Sequence, residues 1–123
     1  MLMNLTLVAL GGAAGSAMRY LVVLTAARIF GPAAPLGTVA VNVLGSFLIG
    51  VAVVVLADGR AWAYPLLVAG FLGGFTTFSA FSLETFRLWE AGHSALAMAY
   101  VAGSVGLGLV ALVAGLAAGR VIA

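Results

Sequence analysis

Two glycines, three hydroxyl side chains and three phenylalanines stand in the nine residues Gly73-Gly74-Phe75-Thr76-Thr77-Phe78-Ser79-Ala80-Phe81, inside an otherwise apolar stretch of membrane length. Such a stretch makes a poor helix in lipid. At that depth every backbone amide needs a partner, so irregular, hydroxyl-rich backbone survives only where it is buried in protein or lines a polar cavity. Helical spacing puts Phe78 and Phe81 (i, i+3) on one face and Ser79 and Ser82 beside them as a second i, i+3 pair, with Ala80 pointing elsewhere. The edge of an aromatic ring is the electropositive part of its quadrupole. Ring edges and hydroxyls together can dress an anion without any formal charge, so the segment reads as the working part of a pore.

Thr38 and Asn42 are four apart and share a helix face. An amide at membrane depth has two readings: an inter-helix hydrogen bond, worth about 0.6 to 2 kcal/mol, or an anion donor offering two N–H groups without a full charge. Arg19 lies well inside the first apolar stretch, where a cation is a functional candidate unless it snorkels to the interface. Glu84 follows the Phe/Ser face by about one turn, placed either to partner an arginine, to line a vestibule, or to sit at the interface.

None of these clusters makes an enzyme. No histidine is matched with a carboxylate and a nucleophile, and no paired acids or metal-ligand spacing occur. Cysteine is absent and His93 is the single histidine. Gly73 to Thr77 lacks the lysine and spacing of a phosphate-binding loop.

The elements that must position these residues follow from composition. With 65% hydrophobic and 7% charged residues and a mean hydropathy of +1.30, the chain is an integral membrane protein. At roughly 20 residues per crossing, its 123 residues make about four spans with short connections, predicted at 3–27, 36–57, 63–89 and 95–120. The breaks fall at Gly31, Pro32 and Pro35, at Asp58-Gly59-Arg60, and at Arg87 to Ser94. Tyr20, Trp62, Tyr64, Trp89 and Tyr100 lie near span ends as an aromatic belt would. Ala13 to Ala17 resembles a cleavage stretch, but no basic residue precedes the apolar run and the run continues past it, so the segment reads as a retained helix. Small residues recur at packing distance in Gly11/Gly15, Ser46/Gly50, Gly70/Gly74 and Gly115/Gly119, which favours a compact bundle. Arg60 and Arg120 share the side of the N-terminus, Arg28 and Arg87 lie opposite, and Arg19 is nearer the second side. That near-zero bias permits insertion in both orientations, and with it a homodimer of oppositely oriented copies.

Three motifs now carry a resemblance. They are Gly11, Gly12, Gly15, Arg19 and Tyr20; then Gly37, Thr38, Val41, Asn42, Gly45, Ser46, Phe47 and Gly50; then Gly70 to Phe81 without a gap. In this order, across three of the four spans, they resemble the small bacterial fluoride channels, the Fluc/CrcB family. The third motif is highly specific.

The resemblance implies an all-α membrane protein whose third helix is broken, assembled as an antiparallel, dual-topology homodimer in the lipid of the bacterial inner membrane. It implies two fluoride pores giving passive efflux. Asn42 would be the pore asparagine, and Phe78 and Phe81 the paired phenylalanines. Ser79, Ser82, Thr38 and Ser104 would belong to the pore, with Tyr100 in support. Arg19 and Glu84 would lie at the vestibule, and the backbone carbonyls of Gly73 and Thr76 would hold a central structural sodium ion. Many relatives carry threonine at the position of Ala80. Two other functions fit a small four-span chain: a proton-coupled multidrug exporter, which needs a carboxylate that this first helix lacks, and a non-conducting assembly subunit, which would leave the Asn, Phe and Ser pattern without purpose.

Overall fold

A computed structural model describes residues 1–123 and contains helices and no strands. Helix α1 spans Leu2–Phe30 and α2 spans Leu36–Val55. The third crossing begins as a π-helical segment, Tyr64–Leu72, that runs into a single α-turn, Gly73–Phe75; the two are labelled α3 together. It resumes as α4, Ser79–Glu90, and α5 covers Ser94–Ile122. Four stretches are long and apolar enough to cross a membrane, with Tyr64–Glu90 counting as one crossing.

The ends have local causes. Gly31 takes φ 94° and its N–H closes on the Ala27 carbonyl, after which Pro32 and Pro35 prevent continuation. Gly92, with φ 84°, ends the α4 crossing by donating to the Trp89 carbonyl at 3.1 Å. These are the two residues in the left-handed region, where glycine avoids the Cβ clash. Arg28, Arg87 and Arg120 each fall in the last turn of their helix, where the macrodipole favours a cation.

The expected interruption of the third crossing is present at Thr76 to Phe78, where Thr76 turns extended with φ −84° and ψ 161°. Upstream, the Thr76 N–H and hydroxyl both donate to the Leu72 carbonyl, at 3.1 and 3.0 Å. Downstream, Thr77 Oγ1 accepts the Ala80 N–H at 3.1 Å, as an N-cap hydroxyl does.

Two close-packed helix pairs frame the break. Helix α1 lies on α3 where Gly11 and Gly15 face Gly70 and Phe71; a methyl at Gly15 would overlap the Phe71 carbonyl. Helix α2 lies on α5 through Gly50 and Gly115, again with backbone against backbone. Only 16 of 123 residues are buried, so most of the apolar surface is left for lipid or another copy to cover. Val41, Val68, Leu72, Phe75 and Ala97 form the small core beside the break.

Candidate functional site

Asn42 on α2 meets the interruption directly. Its Nδ2 donates to the Thr77 carbonyl at 2.9 Å and its Oδ1 accepts the Thr77 N–H at 2.8 Å. The side-chain amide thus replaces both backbone partners that Thr77 loses by leaving the helix. Gly45, one turn along α2, makes the approach possible, because a Cβ there would collide with the Thr76 methyl. One N–H of the Asn42 amide is used on Thr77; its other N–H makes no hydrogen bond within the protein. From the far side Arg19 on α1 reaches the same break, its Nε donating to the Gly74 carbonyl at 3.0 Å.

Next to this clamp lies a groove of about 390 Å³, open along one side, whose lining includes Asn42, Ser46, Thr76, Phe78, Phe81 and Ser104. Phe78 is 79% exposed, while Phe81 is half-buried. Their ring centroids stand 5.8 Å apart at 43°. Across the groove, Ser104 Oγ is buried without a hydrogen-bond partner. A buried hydroxyl left unpaired is costly, by about 1 to 3 kcal/mol, which singles Ser104 out among the side chains of the groove.

A second cluster sits beside the groove. Glu84 accepts the Thr38 hydroxyl on Oε1 at 2.8 Å and the Tyr100 hydroxyl on Oε2 at 2.7 Å. Thr38 is 1% exposed. The Tyr100 ring packs 5.1 Å from that of Phe81, which joins this cluster to the groove wall. On its outer side the cluster borders a cavity of about 350 Å³ where Thr38 and Glu84 meet Arg87 and His93.

The structure therefore brings Asn42, Phe78, Phe81, Ser104, Gly73 and Thr76 around one groove, and Thr38, Glu84 and Tyr100 into a hydrogen-bonded set next to it. Arg19 stands behind the break. Ser79 and Ser82 do not face the groove; both are exposed, with Ser82 donating to the Phe78 carbonyl at 2.9 Å and Ser79 Oγ 3.4 Å from Thr77 Oγ1. Sequence reasoning assigned Ser46 only to helix packing and missed the Thr77 backbone as the partner of Asn42. The spacing of Ser46, four residues after Asn42, was the available signal.

The carbonyls of Gly73 and Thr76 accept no hydrogen bond. The Thr77 N–H, the helical partner of Gly73, goes to Asn42 Oδ1 instead, and no donor in the turn that follows reaches Thr76.

The family profile described as CrcB-like protein, Camphor Resistance (CrcB), matches residues 6–116. A protein of Cereibacter sphaeroides (strain ATCC 17029 / ATH 2.4.9) named fluoride-specific ion channel FluC is 58% identical over 121 residues, 98% of this chain and 97% of its own length. Proteins of the same name from Paracoccus denitrificans (strain Pd 1222) and Rhizobium etli (strain CIAT 652) are 53% and 51% identical. Those alignments cover 92% and 95% of this chain, and 91% and 96% of the relatives.

Proposed function

The chain belongs to the CrcB-like family, and from that premise we propose that it is a fluoride-selective channel of the bacterial inner membrane, giving passive efflux. It is a multi-pass membrane protein and not an enzyme, as the name ion channel carried by its relatives implies. The observation that carries the reading is the groove at the break, where an amide N–H, an unpaired buried hydroxyl and two phenylalanine rings converge with no charged side chain among them.

Fluoride is small and tightly hydrated, so a pore must replace its water with closely spaced donors that still release it. Asn42 Nδ2 and Ser104 Oγ supply hydrogen bonds, and the edges of Phe78 and Phe81 supply the positive side of a ring quadrupole. A narrow Phe-lined passage selects against the larger chloride. Fluoride that enters as the neutral weak acid and dissociates inside leaves as the anion, helped by a negative interior potential. Neither ATP nor a proton gradient is needed.

The groove lacks a wall on its open side, and Phe78 projects from it at 79% exposure. A second copy supplies that wall in this reading. The weak arginine bias supports an antiparallel pair, and two such grooves make two pores. The free carbonyls of Gly73 and Thr76 fit a structural sodium ion at the centre, since hard cations take oxygen ligands and one protomer offers two. Bound there, sodium would neutralise carbonyl dipoles that lipid cannot satisfy. Glu84 would lie at the vestibule, off the ion's path, holding the Thr38 and Tyr100 hydroxyls beside the groove, with Arg19 holding the break behind it. Ser79 and Ser82 would meet the ion only where the partner copy closes over α4.

The test is fluoride-electrode efflux from liposomes holding the purified protein, with chloride as control. Fluoride must leave without a proton gradient while chloride stays. Efflux that requires the gradient, or no efflux at all, rejects the channel.

A further inference from the structure

We propose that Ser46 is a further fluoride-binding residue, the next hydroxyl along the groove after Asn42 and Ser104, and that Gly108 keeps it open to the ion. The proposal rests on the fluoride-channel reading and adds a step to it. Helices α2 and α5 run side by side in the same direction, as their contacts show: Ser46 faces Gly108, and Gly50 faces Leu112. Positions on the two helices therefore pair in register. Thr38 and Tyr100 meet through Glu84, Asn42 and Ser104 line the groove together, and Ser46 and Gly108 line it one turn further on. On α2 the polar side chains fall at i, i+4 and i+8, which is one face.

Ser46 Oγ donates to the Asn42 carbonyl at 2.7 Å. That bond closes back on its own helix, so the hydroxyl can rotate its hydrogen into the groove while the carbonyl keeps its helical N–H partner. On α5 the opposite position has no side chain. A Cβ built on Gly108 would lie 3.6 Å from Ser46 Oγ, an ordinary contact. An alanine therefore fits there without moving backbone and sets its methyl against the hydroxyl.

Two variants separate ion contact from support of the fold. Ser46→Ala removes the donor together with its back-bond to the Asn42 carbonyl. Gly108→Ala leaves that bond intact and covers the hydroxyl. Initial fluoride efflux from liposomes is measured for both at several fluoride concentrations, with the oligomer checked by gel filtration, and Ser46→Thr carried as the hydroxyl-retaining control. Loss of one hydrogen bond to an anion corresponds to a fall of about tenfold or more. Both alanine variants are expected to show it with an unchanged oligomer, and Ser46→Thr is expected to keep at least a third of the wild-type rate. Wild-type rates in Gly108→Ala, or in a correctly assembled Ser46→Ala, overturn the role of Ser46. Absence of fluoride flux in the wild-type protein instead removes the channel reading itself.

Discussion

Asn42→Asp is the sharpest perturbation of the groove. The variant is nearly isosteric and keeps an oxygen to accept the Thr77 N–H, now 2.8 Å from Oδ1. It loses the Nδ2 donor, now 2.9 Å from the Thr77 carbonyl, and adds a negative charge. Asn42→Ala loses both bonds and adds none. Each lost bond costs about 1 kcal/mol, and the stranded Thr77 groups somewhat more, so clamp damage alone slows flux by about one to two orders of magnitude. The charge acts differently. A fluoride about 4 Å from the carboxylate, at the effective dielectric of about 20 suited to a partly wet site, is repelled by about 4 kcal/mol, or close to three orders of magnitude at 1.4 kcal/mol per tenfold. Asn42→Asp should therefore be slower than Asn42→Ala despite being the smaller structural change. Fluoride-electrode efflux at matched protein density, with assembly checked in detergent, makes the comparison. If the aspartate variant assembles and conducts as fast as the alanine variant, no anion passes Asn42 and the groove is not the pore.

Ser104→Ala deletes a hydroxyl with no protein partner, so thermal stability should hold or rise slightly while fluoride efflux falls about tenfold; a stability loss above about 1 kcal/mol with normal flux would make Ser104 structural. Phe81→Ile keeps bulk but removes the aromatic ring that lines the groove and its 5.1 Å contact with Tyr100, and should cut efflux by about tenfold or more without loss of assembly. An unchanged rate would argue against edge-on contact with the ion. Exchange of sodium for a large organic cation during purification should weaken the proposed dimer or stop flux, measured by gel filtration and efflux on the same sample; indifference to the exchange would count against an ion at Gly73 and Thr76.

What one sequence made legible was whatever depends on a single helix. Lipid demands about 20 apolar residues per crossing, so the four crossings follow from hydropathy, and glycine with hydroxyls in Gly73 to Thr77 marks where the third cannot stay helical. Asn42 stood between two readings. The structure makes the inter-helix bond to Thr77 and leaves the second amide N–H unused, so holding the break and serving as a donor do not compete. Contacts that depend on which helices are neighbours were not legible. Glu84 finds Tyr100 sixteen residues away and Thr38 forty-six away, and helical spacing carries no information about either. Arg19 shows the same limit: its bond to the Gly74 carbonyl spans fifty-five residues and puts it behind the interruption. The π-helical stretch Tyr64–Leu72 had no marker in its residue types.

The treatment of the two formal charges beside the break ties these contacts together. Arg19 and Glu84 border one small cavity between α1 and α4, yet each is bound to neutral groups: a backbone carbonyl for the guanidinium, two hydroxyls for the carboxylate. Neither lines the groove where Asn42, Phe78, Phe81 and Ser104 meet. At the low dielectric of a membrane interior a fixed cation on an anion's path would bind it too tightly to let it leave, and a fixed anion would bar it. Holding Glu84 by both oxygens keeps its charge turned from the groove, and drawing Arg19 onto Gly74 spends part of its hydrogen-bonding capacity on the backbone. None of the side chains around the groove carries a formal charge, so in the channel reading an anion there would meet the partially positive Asn42 amide, Ser104 hydroxyl and ring edges, partners that can replace its water and still release it.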